Sequence, residues 1–308
     1  MESVESQVLT ARRSGIFFSD LPRAVLAVRG KDRASFLHNL LSNDIKGLKP
    51  GQGKPACPAS SCRACLLDRQ GKILFCCTAH TRPEEILLEM APVFLETARA
   101  ALERYLISEA VEISEATARF QVASVHGPAA ANLSLPFSTG PDGFMVQSTL
   151  LGMPGLDLWC AKGEAYRPAG IAEGTNEAFD ILRIEAGVPW PGREITGEVI
   201  LNELDREEFV SFTKGCYVGQ EIVARIKHRA HPPRLLTGFL VQGQMVPLEG
   251  SPILLESQTA GVVTSACFSP TLNRPAAMGF LKYGVEGSFQ IQGLPARAVK
   301  LPFVSGSG

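Results

Sequence analysis

Long apolar runs are missing from this 308-residue chain. Its most hydrophobic stretches, residues 72–79 and 91–107, are short or broken by charge. They fall well below the ~20 apolar residues that a membrane-spanning helix needs. An excess of either charge is missing too: 30 Lys and Arg stand against 31 Asp and Glu, a net charge of −1. That balance argues against a dedicated nucleic-acid binder, whose surface carries a positive excess, and against an acidic halophile-type shell. The first residues are acidic without an apolar core, which predicts neither a secretory leader nor a mitochondrial presequence. Cytoplasmic residence is the expectation, with the eight cysteines present as thiols or metal ligands. Repeats and low-complexity tracts are absent as well.

What is present is a globular composition, 45% apolar and 20% charged, punctuated by 29 glycines and 21 prolines. Such punctuation predicts many short elements. Residues 23–29 alternate as a strand, and Asp32 opens a helix with Phe36, Leu37, Leu40 and Leu41 on one stripe. Residues 65–67 and 72–78 read as a hairpin around residues 68–71, followed by a strand at 85–90 and a helix from Pro92 to about 106. Strands at 111–113 and 120–125, a short helix after Gly127 and a strand pair at 145–147 and 156–160 come next. Thr175 caps a helix that ends at Gly187. Strands beside strands, separated by single helices, predict α+β layers rather than a doubly wound parallel sheet. After Pro232-Pro233, short β runs alternate with Gly and Pro, the texture of a small barrel. The expected organisation is an α+β region over residues 1–231 and a β-barrel domain over residues 232–308.

Two stretches carry chemistry. In Lys214-Gly-Cys216-Tyr217-Val-Gly-Gln220-Glu221, Cys216 sits just before a helix that runs to about residue 229. A helix N-terminus and the neighbouring Lys214 both favour thiolate over thiol, the condition for a reactive cysteine. A buried, inert cysteine in a glycine-rich turn is the plainer alternative. In the helix before Gly187, Glu185 shares its face with the apolar Ala178, Ile181 and Leu182. A carboxylate pointing inward at the negative end of a helix needs donors. A flat N–H/NH₂ edge would supply them, and so would a core-facing arginine.

The series Arg183-Ile-Glu185-Ala-Gly187-Val-Pro189, then Lys214 to Glu221, then Val223-Ala-Arg225, resembles the YgfZ family, folate-binding relatives of the glycine-cleavage T-protein. Gly30-Lys-Asp-Arg with Phe36-Leu37 and Ser42-Asn43-Asp44-Ile45, and later Ser269-Pro-Thr-Leu272, are similar to that group in the same order. The resemblance implies a T-protein-like fold of two interleaved α+β lobes followed by a C-terminal β-barrel. It implies a tetrahydrofolate site in which Glu185 holds the pterin edge and Arg183 orients the site. It also implies that Tyr217, Gln220 and Arg225 contribute to folate binding. Cys216, prepared by Lys214, matches the signature cysteine, for which a redox or cluster-related role is implied. The implied partners are folate and iron–sulfur client proteins, tRNA-modifying enzymes included. The implied activity is support of iron–sulfur protein assembly or repair, with no membrane or DNA partner.

The sequence departs from the T-protein pattern in one place. The hairpin strand that carries acidic residues in aminomethyltransferases reads Gly71-Lys-Ile-Leu-Phe75-Cys76-Cys77, without a carboxylate. Acid–base assistance worth about 10²–10⁴-fold would be missing, which speaks against a conventional aminomethyltransferase or demethylase as the alternative function. A further alternative is a metal or iron–sulfur carrier. Cys57, Cys62 and Cys65 have C-x₄-C-x₂-C spacing, with Cys76 or Cys77 across the hairpin as a fourth ligand for iron–sulfur or zinc. Cys76 and Cys77 are adjacent and would point to opposite strand faces, and the surrounding sequence does not otherwise resemble a ferredoxin. The basic run from Arg225 to Arg234 reads as a solvated helix end or as a contact for acidic groups.

Overall fold

The computed structural model describes residues 2–49, 60–131, 133, 143–148, 150–164 and 166–305. The chain opens with helix α1 (Val4–Arg13), capped by the Ser3 hydroxyl, and strand β1 (Ile16–Phe18). It then leaves to build a different sheet. Strands β2 (Ala24–Arg29), β3 (Ser61–Leu67), β4 (Ile73–Thr81), β5 (Glu85–Met90) and β6 (Glu112–Glu115) pair antiparallel in the order β3-β4-β5-β2-β6. Helices α2 (Arg33–Leu40) and α3 (Leu95–Tyr105) belong to this lobe. The chain returns to β1 with β7 (Phe120–His126), the short helix α4 (Pro128–Ala131), β8 (Phe144–Ser148), β9 (Gly155–Ala161) and β10 (Ala172–Glu173). These form the second sheet, β10-β1-β7-β9-β8, in which β1 and β10 are parallel. Helix α5 (Asn176–Glu185) follows, capped by Thr175 as expected.

The two lobes are therefore interleaved along the chain, and their sheets meet through a shared core. Val25, Ala27 and Leu87 from one sheet pack against Phe120, Phe144, Val146 and Trp159 from the other. Trp159 is fully buried, stacked on Phe144 at 5.0 Å and edge-on to Phe120 at 5.3 Å. Aromatic pairs of this kind add about 0.5–1.5 kcal/mol each beyond their buried area.

Helix α6 (Gln220–Arg229) leads into six strands: β11 (Arg234–Val241), β12 (Pro252–Leu255), β13 (Gln258–Ser269), β14 (Arg274–Lys282), β15 (Phe289–Ile291) and β16 (Leu294–Val299). They close into a barrel in the order β11-β14-β13-β12-β15-β16. One barrel wall, including Leu236, Met278 and Phe280, joins the core of the first lobe. The α+β class and the terminal barrel expected from the sequence are both found.

Polar clusters at the end of α5 tie the barrel to the lobes. Arg183, fully buried, donates to Asp180 at 2.7 Å, to Glu194 at 3.2 Å and to the Ser265 hydroxyl on β13 at 2.8 Å. Ser265 in turn donates to Glu194 at 2.6 Å. The resemblance gave Arg183 a role in orienting a ligand. In the structure its donors go to groups of the fold itself.

Two predictions follow from these burials. Arg183→Met leaves Glu194 buried without its charge partner, and should cost about 3–5 kcal/mol in denaturant unfolding at unchanged slope. His126, fully buried with neither ring nitrogen hydrogen-bonded, has its imidazole pushed down to about 4 by burial. The unfolded chain takes up that proton near pH 6.5, so this contribution is whole above pH 6.5 and is lost as pH falls toward 4. Between pH 7 and 5 it amounts to on the order of 2 kcal/mol. Urea titrations at the two pH values should show that loss in the native protein and a smaller one in His126→Leu.

Candidate functional site

A cleft opens where the two sheets face each other and where the chain leaving α5 crosses them. Its narrow apolar end, about 130 Å³, is walled by Met90, Leu150, Val188, Pro189, Trp190 and Phe209. Its wider polar end, about 360 Å³, takes Ser61, His80, Asp157 and Glu208. Arg23, Arg63, Thr78, Glu89 and Leu150 line both ends.

Strand alternation explains which side chains reach the cleft. In the β3–β4 ladder, Ser61 lies opposite His80 and Arg63 opposite Thr78. A period of two puts these four on one face of the sheet. Glu89 comes from the neighbouring β5, opposite Thr78. Its carboxylate is ion-paired with the Arg23 guanidinium and lies 2.9 Å from His80 Nε2. Arg23 also donates to the Ser124 hydroxyl at 2.5 Å, and Ser124 donates to Asp157. The cluster thus spans both sheets, with Glu89 and His80 on one and Ser124 and Asp157 on the other. Burial pushes the His80 imidazole down to about 3, so it is neutral at physiological pH. Two buried polar atoms here have no hydrogen-bond partner, Arg23 Nε and His80 Nδ1. Arg63 lies over the Phe209 ring at 5.8 Å and 3.7 Å from Glu208.

The residues singled out in the sequence lie elsewhere. Glu185 does point inward and is fully buried, but its carboxylate is already answered. Arg12 of α1 donates to it at 2.5 and 2.9 Å, Ser269 at 2.5 Å and the Thr271 hydroxyl at 2.9 Å. This arrangement is the core-arginine alternative. Lys214 is turned away from a thiol-activating role. Its ammonium donates to the carbonyls of His38, Leu41 and Asn43, the first at the end of α2 and the others just beyond it. Burial lowers it to about 8, against the opposing pull of Asp44. Tyr217 is buried in the first lobe's core, and burial raises its phenol to about 12. The Gln220 side chain accepts from the Tyr217 N–H at 3.3 Å, closing the turn before α6, and Arg225 is exposed. None of Arg183, Glu185, Lys214, Cys216, Tyr217, Gln220 and Arg225 lines the cleft.

The turn that holds Cys216 is pressed against the β3–β4 hairpin. Gly219 has a φ of +81°, and a Cβ there would come within 2.6 Å of the Asp68 carbonyl, so only glycine fits. Cys216 itself is exposed.

The cysteines divide by environment. Cys65 and Cys76 are joined by a disulfide, which corrects the expectation of free thiols or metal ligands at these two positions. Cys57 lies outside the described residues. Cys62 and Cys77 alternate to the other face of β3 and β4 from Cys65 and Cys76. Burial raises Cys62 to about 12 and raises Cys77 further. Among the described residues, no group of three or more His, Cys, Asp or Glu side chains is placed to hold a metal ion. Among them, too, no helix is long and apolar enough to cross a membrane.

The interleaved lobes and closed barrel define a T-protein-like fold. Residues 234–305 match the glycine cleavage T-protein C-terminal barrel domain. The chain superposes on the crystal structure of glycine cleavage system aminomethyltransferase T from Bartonella henselae with a TM-score of 0.84. That match covers 99% of this chain and 90% of the other at 23% identity, a likeness of fold. In sequence, the chain is similar to an aminomethyltransferase of Rubrobacter xylanophilus, 28% identical over 90% of this chain and 80% of the relative. An aminomethyltransferase of Streptomyces avermitilis is 36% identical over 46% of this chain and 39% of the relative.

Exposure predicts the order of thiol reactivity. Iodoacetamide should label Cys216 in the native protein at least about tenfold faster than Cys77, Cys160 or Cys267, whose thiols burial holds protonated. Peptide mapping by mass spectrometry checks the order, and equal rates would remove Cys216 as the accessible thiol.

Proposed function

We propose that this chain binds a reduced folate in the cleft between its two sheets and serves one-carbon transfer of the kind named in its aminomethyltransferase relatives. The observation that carries the reading is the cleft's division into a narrow apolar end and a charged end, with Glu89 lining both. A pterin has two apolar faces and an edge of paired N–H donors. The slot between Met90, Leu150 and Trp190 suits the faces, and the Glu89 carboxylate suits the edge. Arg23 and Arg63 suit the carboxylates of a glutamyl tail. The unpartnered Arg23 Nε and His80 Nδ1 are polar atoms that the fold leaves unspent. When bound, the folate would supply the one-carbon carrier, while these residues bind and orient it. The cleft face of β4 offers Cys76, Thr78 and His80 and no carboxylate, so any acid–base help in transfer falls to groups such as Glu89 or Asp157.

Calorimetric titration with tetrahydrofolate tests this. Native protein should bind, Glu89→Gln should bind at least about tenfold more weakly, and Glu185→Gln should lose fold stability instead of specific affinity. Absence of binding by the native chain, or unchanged affinity in a folded Glu89→Gln, would sink the reading. Formation of methylene-tetrahydrofolate from an aminomethyl donor then measures transfer itself.

A second reading, the YgfZ-like factor supporting iron–sulfur proteins, is favoured by Cys216. Its thiol is exposed in a turn whose neighbours Lys214, Tyr217 and Gln220 all have structural duties, and it lies outside the cleft. Cys216→Ser should fold normally and fail in a cell-based assay of iron–sulfur enzyme activity. Full complementation would remove this reading and leave the first untouched.

A further inference from the structure

The face of the β3–β4 ladder that floors the cleft has three successive cross-strand pairs: Ser61 with His80, Arg63 with Thr78, and Cys65 with Cys76. The first two pairs line the cleft, and the third is the disulfide. Its two halves differ in access: Cys76 lines the narrow end beside Thr78, whereas Cys65 is fully buried. The free cysteines of the same hairpin, Cys62 and Cys77, alternate to the opposite face, with Cys62 Sγ 4.0 Å from the Asp44 carbonyl. Cys77 also lines the narrow end and Cys62 the wide end, and burial holds both thiols protonated.

We infer that Cys65–Cys76 is a redox-active pair at the floor of the cleft, opened and closed by small-molecule thiols and disulfides that enter through the cleft and react at Cys76. Opening is ordinary thiol–disulfide exchange. A thiolate attacks Cys76 Sγ, forms a mixed disulfide there and breaks the bond to Cys65, whose sulfur keeps the electron pair and takes a proton. A second thiolate attacks the outer sulfur of the mixed disulfide, releasing the oxidised small disulfide and the Cys76 thiol. Two small thiols are oxidised as one protein disulfide is reduced, and the reverse sequence closes the pair. The open state adds a free thiol to the cleft beside Thr78, and the closed state withdraws it. The inference uses the shape of the cleft and not its ligand, so failure of folate binding leaves it standing.

The full-length protein tests it, with dithiothreitol and glutathione disulfide as probes and alkylation with peptide mapping as the readout. Mapping keeps Cys216, which reacts for a separate reason, out of the count. Dithiothreitol should reduce the native pair within about 100-fold of its rate in urea-unfolded protein, with the far-ultraviolet spectrum retained. Glutathione disulfide should re-form the bond in the reduced native protein. It should also load Cys76 in Cys65→Ser at least about tenfold faster than it loads Cys65 in Cys76→Ser. Native reduction slower than that limit, a pair that stays as two thiols under glutathione disulfide, or capture at Cys65 as fast as at Cys76 would each overturn it. Should either serine variant fail to fold, the two wild-type measurements still decide.

Discussion

The last turn of α5 holds two opposite charges in the interior, Arg183 and Glu185, and everything around it is arranged to answer them. A buried charge without a partner costs several kcal/mol, so each one dictates where its partners must lie. Arg12 brings in α1, Ser265 and Ser269 bring in β13, and Glu194 brings in the chain beyond the helix. The Glu185 carbonyl also accepts from the Phe303 and Val304 N–H groups, fastening the segment that leaves the barrel. The chain leaves this clamp through Gly187, whose φ of +63° turns it sharply toward the cleft. Val188 to Trp190 then form the cleft's apolar wall. The shape of the candidate site thus depends on a cluster that does not itself line it.

Within the cleft the charges are organised in a different way. Arg23, Glu89 and His80 are linked on one sheet and continue through Ser124 to Asp157 on the other, so the polar end is held from both sides. Preorganisation of this kind keeps donors and acceptors fixed before a ligand arrives. It leaves a neutral His80 and an ion-paired Glu89 side by side in the cleft. The seven cysteines among the described residues, which look alike in sequence, separate into an exposed thiol, a bonded pair on the cleft face and thiols kept protonated by burial.

Much of the architecture was legible. The strand at residues 85–90 and the helix at 220–229 have the bounds that their alternation and helical spacing predict, and Thr175 caps α5. The first helix and β1 were not anticipated. In α1 only Gln7, Val8 and Ala11 are buried, too weak a stripe to stand out. The inward aim of Glu185 could be read from its face of the helix. Its partners could not, because Arg12 is 173 positions away and Ser269 is 84. Lys214 is two residues from Cys216 in sequence, yet its long side chain finds the carbonyls at the end of α2. Glu89 and His80 had no distinguishing mark. Polar residues at alternate strand positions look like a solvent face until a second sheet covers them.

Local periodicity, capping residues and turn chemistry act over a few bonds, and for that reason the sequence alone settled the α+β class, the terminal barrel and the inward carboxylate on α5. Which arginine meets that carboxylate, which cysteines become neighbours and which strand face becomes a cleft are matters of long-range packing. They depend on how two interleaved sheets and a barrel close over one another, since a charge or thiol takes its chemistry from the groups that surround it in space.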